Sequence, residues 1–228
     1  MKKHLLPAQR SAFSLIELVV VIAIIAIIAT FTVPAATTIL RGSALTQASQ
    51  TLTDSISLAR QMALSKNRAI EVRFYQYADP ETPGEVGPPA NPQWRALQLF
   101  EVLESGTPVP VGKVQTLPIS VVMNPGAASA NTLSSLILCD AKNTPTITKG
   151  QASTNNPDLP RGIGKNYSYV AFRFQQDGST NLSPSNTWFV TIHNLTPPVV
   201  GTTPPANFFT LQIDPVSGAI KGFRPTAG

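Results

Sequence analysis

The stretch Ser11–Phe31, SAFSLIELVVVIAIIAIIATF, decides how this chain is read. From Leu18 to Ala29 it has no polar side chain, yet Glu17 stands at its head. A charged group at the centre of a bilayer costs about 2.5–3.5 kcal/mol on insertion scales. A chain that keeps such a group needs a partner for it. The apolar run extends from Phe13 to Ala36, 24 residues in which Ser14, Glu17, Thr30 and Thr32 are the clearly polar members. A helix of that length reaches about 36 Å, longer than a hydrocarbon core of roughly 30 Å. Lys2, Lys3 and Arg10 precede the run, and no acid lies among the first twelve residues. That asymmetry predicts a cytoplasmic N-terminus. Pro34 lacks a backbone N–H and is expected to loosen or kink the helix near the outer membrane edge; its alternative reading is an interfacial helix start.

A secretory signal peptide also has a basic start and an apolar centre, and Val33-Pro34-Ala35 passes for its cleavage site. A plain membrane anchor is the other simple reading. Two features weigh against the signal. A signal has no use for an acid at the start of its apolar region. The helical pattern also continues beyond Ala36: Leu45, Ala48, Leu52, Ile56, Ala59 and Ala63 are spaced 3, 4, 4, 3 and 4 apart. That is one apolar stripe of an amphipathic helix, expected to dock on a sheet.

Beyond Asn67 the period changes to two. In AIEVRFYQY (69–77), Ile70, Val72 and Phe74 share one face, with Glu71 and Arg73 on the other. WRALQLFEVL (94–103) returns as the second strand of a long hairpin. Further strands are expected in GKVQTLP, ISVVM, LSSLILC, YSYVAFRF, TWFVTIH, NFFTLQI and GAIKGFR. Asp214–Gly218, DPVSG, makes the turn between the last two. Asp79–Gln93 and Asp140–Lys165 are rich in Pro, Gly and Asn and read as outward-facing surface loops.

The whole chain has 228 residues, 43% of them hydrophobic and 13% charged, with 21 prolines. This is not a disordered polyelectrolyte, and it is too rich in turn residues to be all helix. The net charge of +5 is concentrated at the N-terminus; beyond it the bases and the 12 acids nearly balance. Cys139 is the only cysteine, so an intrachain disulfide cannot form.

The segment Ala12–Ala35, AFSLIELVVVIAIIAIIATFTVPA, resembles the class III signal of type IV pilins and type II secretion pseudopilins. The resemblance implies that a prepilin peptidase cuts between Ala12 and Phe13, that the new Phe13 amine is N-methylated, and that Glu17 is retained for assembly. Pro34 falls where that family often has a kinking proline. Ala12 replaces the family's usual Gly, so cleavage is expected to be slower. Cleavage would expose an α-amino cation on the helix end that carries Glu17. In a bundle, Glu17 of one subunit would then meet the Phe13 amine of a neighbour and set the register. The body resembles H-type minor pseudopilins in Leu52–Phe74, Val170–Thr180 and Phe209–Lys221, and more weakly the group called Verru_Chthon cassette protein D.

No residues assemble a recognisable catalytic motif: there is no phosphate-loop glycine pattern, no HExxH and no paired CxxC. Outside the leader His193 is the sole histidine. Cys139 reads as buried in a strand, and Asp177-Gly178 and Asp214–Gly218 read as turns rather than calcium loops. Arg161, Lys165, Lys221 and Arg224 are the residues that would carry nucleic acid, but they do not cluster in the sequence.

The expectation is therefore an α+β, pilin-like fold. Residues 1–12 form a leader and 13–36 a transmembrane and assembly helix. Residues 37–67 form its amphipathic half, and 68–228 a β-rich body outside the bacterial inner membrane. The expected function is that of a non-enzymatic structural subunit, a minor pseudopilin by its irregular body. Its partners would be the prepilin peptidase, other pilins or pseudopilins and the inner membrane, with no metal or cofactor and no nucleic acid. The rival readings are a DNA- or ligand-binding minor pilin and a secreted or anchored protein of another activity.

Overall fold

The structure, a computed structural model, describes residues 14–82, 84–86, 91–127, 131–137, 147–153, 156–195 and 206–225; within these, side chains at 31–36, 38, 126–127 and 131–132 are also left aside. Phe13 and Cys139 lie outside the described residues, as do Ala12 and the rest of the leader. The chain forms two units, Met1–Gly42 and Ser43–Gly228.

One helix, α1 (Leu15–Lys66), runs through both, with Pro34 inside it. Its end is set by local chemistry. Asn67 takes the left-handed conformation, φ 51°, and the Arg68 N–H reaches back to the Ala63 carbonyl at 3.4 Å. That is the Schellman closure of a helix.

In the second unit, the strands are β1 (Ile70–Tyr77), β2 (Gln93–Val102), β3 (Pro108–Thr116), β4 (Val121–Met123), β5 (Gly126–Ala127), β6 (Asn131–Thr132), β7 (Thr148–Gln151), β8 (Ser168–Phe174), β9 (Trp188–Asn194), β10 (Phe208–Ile213) and β11 (Ile220–Phe223). Nine form one antiparallel sheet in the order β11-β10-β9-β4-β2-β1-β8-β7, with β3 also on β2. β5 and β6 pair separately. The expected first hairpin is present, Ile70 opposite Glu101 and Phe74 opposite Leu97. The final hairpin turns at Asp214–Gly218, where Gly218 has φ +65°.

The six stripe residues of α1 are fully buried and share one core with Ile70, Val72, Phe74, Phe172, Trp188 and Leu211. The alternation in β1 thus seats the helix on one face of the sheet. The opposite face departs from expectation, because it too is covered. Tyr75, Tyr77, Ala96 and Phe100 pack there against Leu159, Ile163 and Tyr167. Glu71 and Arg73, placed by period on the outer side, are buried between these layers.

Three further expectations are corrected. LSSLILC is not a strand over its described part; residues 135–137 form a turn. Its serines do a strand's bonding instead. The Ser134 hydroxyl accepts the Thr191 N–H at 2.8 Å and donates to the Asn124 carbonyl, while Ser135 Oγ accepts the Phe189 N–H at 2.8 Å. Asp140–Lys165 is not a loop throughout, since β7 lies within it. The strand went unseen because TKGQ has no apolar alternation, and Gly150 is required where the Tyr169 ring would lie 2.4 Å from an added Cβ. Nor do the two long loops simply face out: Asp79, Glu85, Ile147, Leu159 and Ile163 are buried.

Candidate functional site

The first unit ends in an unusual surface. Every described side chain from Ser14 to Thr30 is exposed, including Leu15, Ile22, Ile25 and Ile28. The helix is apolar on all sides, the composition of a helix meant for lipid or for other helices. Its start is fixed by Ser14, whose Oγ accepts the Glu17 N–H at 3.2 Å, while its carbonyl accepts the Leu18 N–H. Ser14 is thus the N-cap and Glu17 the third helical residue. This is the S-x-x-E spacing of a capping box, a signal present in the sequence that its reading passed over. The carboxylate also stands at the positive end of the helix dipole. Among the described residues no cation pairs with Glu17. The helix therefore begins at Leu15 and carries a single acid in its first turn.

Among the described residues no helix is long and apolar enough to cross a membrane. The run read from the sequence, Phe13 to Ala36, extends past the described side chains at both ends.

Among the described residues the body holds two buried ionic groups. In the first, Glu71 accepts Arg73 Nε at 2.6 Å and Arg173 Nε at 2.8 Å. The Arg73 guanidinium lies 3.9 Å from the Phe100 ring centre and 4.5 Å from that of Tyr169. Beside it Tyr75 donates to Gln98, and burial pushes its hydroxyl pKa well above the usual value. In the second, Arg95 bonds Glu85 and lies 3.8 Å from Asp79. Asp79 also faces Arg161 at 3.4 Å, and burial pushes neighbouring Tyr77 up to about 12. Arg161 is held with φ 61°, uncommon for a residue with a side chain. The cluster ties the roots of the two long loops together.

The four basic residues proposed for nucleic acid do not meet. Arg161 and Lys165 lie between β7 and β8, in the segment that covers the outer face of the sheet, where they pair with Asp79, Glu81 and Asp158. Lys221 lies in β11, an edge strand, and Arg224 just after it; Lys221 lies over Phe223, and Arg224 donates to Thr46.

His193 is buried with both ring nitrogens engaged. Nδ1–H donates to the Asn194 carbonyl at 2.6 Å, so Nε2 accepts from Asn124 at 2.9 Å. Burial lowers its pKa. Asp177 accepts from Ser179 and Asp214 from Val216 and Ser217. Both carboxylates hold turns, and these bonds lower their pKa values. Among the described residues no three His, Cys, Asp or Glu side chains come together as metal ligands.

Residues 7–33 match the prokaryotic N-terminal methylation motif. No curated protein matches the chain. The crystal structure of the type IV minor pilin FimU from Pseudomonas aeruginosa PAO1 is matched at 13% identity, over 80% of this chain and 93% of that one. Its TM-score is 0.38, too low to carry weight. The methylation motif thus overlaps the head of one long helix, and an antiparallel sheet follows it in the second unit.

Proposed function

We propose that the chain is a minor subunit of a type IV pilus or type II secretion pseudopilus, delivered to it from the bacterial inner membrane. The precursor inserts with its N-terminus in the cytoplasm. A prepilin peptidase removes residues 1–12, Phe13 is N-methylated, and residues 13–36 hold the chain in the bilayer with the body outside. Extraction into the filament moves this helix from lipid to a bundle of like helices. Apolar packing supplies cohesion. The Phe13 amine of a neighbour pairs with Glu17 and fixes the axial register, because an unpaired charge in a low-dielectric bundle is strongly disfavoured. Pro34 gives the helix a compliant point.

The observation that carries this reading is a helix apolar on every side with a single carboxylate in its first turn. Glu17→Val tests it. The variant is expected to insert in the membrane to the wild-type level yet drop out of sheared filaments, read by immunoblot of the membrane and filament fractions. Incorporation at the wild-type level would remove the registry role.

A further inference from the structure

Within the second unit the sheet has two ends, and contacts to α1 tell them apart. At one end, the last part of the helix is engaged: Arg60 donates to the Ser217 carbonyl at 3.0 Å and Lys66 pairs with Glu101 at 2.6 Å. At the other end, Arg224 donates to Thr46 at 3.1 Å. The register puts the end of β1, the starts of β2 and β10 and the ends of β9 and β11 at this second end. Thr46 stands ten residues after Ala36, and ten residues of helix rise about 15 Å. On the reading above, in which residues 13–36 span the bilayer, this end of the body is the one tethered close to its surface.

That end exposes apolar side chains. Val86 is 60% exposed, Ile119 45% and Phe223 41%. The first two are held firmly by one buried residue. Arg95 bonds the carboxylate of Glu85, next to Val86, and donates to the Ile119 carbonyl at 3.4 Å. Phe223 lies under the Lys221 ammonium, 5.0 Å from its ring centre. The acids Asp79, Glu81 and Glu85 are engaged by Arg95 and Arg161. Lys221 and Arg224 are exposed, and among the described residues no carboxylate pairs with either.

Apolar and aromatic side chains beside unopposed cations are the composition of a surface that rests on anionic headgroups. The spread of these groups favours a lipid plane over a protein partner. Phe223 in β11 and Ile119, just before β4, are three strand positions apart, about 14 Å. They make a row along one end of the sheet, whereas a protein interface gathers its apolar groups into a compact core.

We propose that this end of the body docks on an anionic phospholipid surface, with Val86, Ile119 and Phe223 in the headgroup zone and Lys221 and Arg224 on lipid phosphates. This rests on the membrane step of the reading above and adds what holds the body in one orientation before extraction.

The test uses the full-length chain reconstituted in vesicles of phosphatidylcholine, alone or mixed with phosphatidylglycerol. Val86→Cys, Ile119→Cys, Phe223→Cys and, at the far end of the sheet, Val216→Cys each carry a fluorophore in a Cys139→Ser background. Quenching by a headgroup-spin-labelled lipid is measured. In vesicles with phosphatidylglycerol, the first three sites are expected to be quenched about 3-fold more than Val216. Removing phosphatidylglycerol, or adding Lys221→Glu with Arg224→Glu, is expected to bring Val86 and Ile119 down to the Val216 level. Equal quenching at both ends overturns the lipid contact, and is the result expected if a partner protein covers this end instead. Quenching that persists unchanged in the double variant overturns it as well. In both cases the chain stays in the vesicles through an alkaline carbonate wash; a chain that washes out overturns the membrane step itself.

Discussion

Arg95 is almost wholly buried, and the Asp79 and Glu85 carboxylates beside it are buried with it. Removing one partner of such a group leaves charge in the interior with no compensation. Arg95→Met is therefore expected to lower unfolding stability by about 3–5 kcal/mol in urea titration. The triple change Arg95→Met, Asp79→Asn and Glu85→Gln is expected to recover most of it, because no lone charge is then left inside. His193 gives the pH dependence. Burial lowers its pKa in the folded chain, so the unfolded chain binds the proton more tightly. Its contribution is complete above the ordinary histidine value of about 6.5 and is lost as pH falls through the lowered folded value. Protonation would also set Nε2–H against the Asn124 amide donor. The melting temperature is expected to fall on acidification from pH 7.5 to 5, and this histidine-linked part of the slope to vanish in His193→Gln.

At the level of elements, the second half of α1 was legible because its apolar period has one interpretation: six residues on one stripe, all six fully buried. Leu52→Ala is expected to cost about 2–5 kcal/mol in a denaturation series, while Leu58→Ala, on the exposed flank, stays within about 0.5 kcal/mol. The outer face of the sheet was not legible. Glu71 and Arg73 alternate with apolar residues as solvated side chains do, and nothing nearby in sequence announces that Arg173, a hundred residues on, will pair with Glu71. The covering side chains Leu159 and Ile163 come from a segment with no period, held by an irregular run of turns and a single bridge between Leu159 and Gly164. LSSLILC misled for the converse reason. It has a strand's composition, but its serines bond through side chains. At the helix start the acid was plain in the sequence, while Ser14 as its cap was visible in spacing and overlooked.

For the whole molecule the deciding quantity is the mass of the assembled chain. Filament material is expected to begin at Phe13 and to carry one added methyl group, shown by N-terminal peptide mass spectrometry; a start at Ala36 would return the chain to ordinary secretion. Polymerisation is specific only if the body offers no accidental way to join. An open strand edge is such a way, because any extended chain can add to it. Next to β4, the flank of β9 is closed by Ser134, Ser135 and the Leu136 N–H, which bonds the Phe189 carbonyl at 3.1 Å. Hydroxyls on a turn saturate those backbone groups without presenting a new strand of their own. Cross-β growth is thereby denied a template at that point, and one route to misassembly is closed.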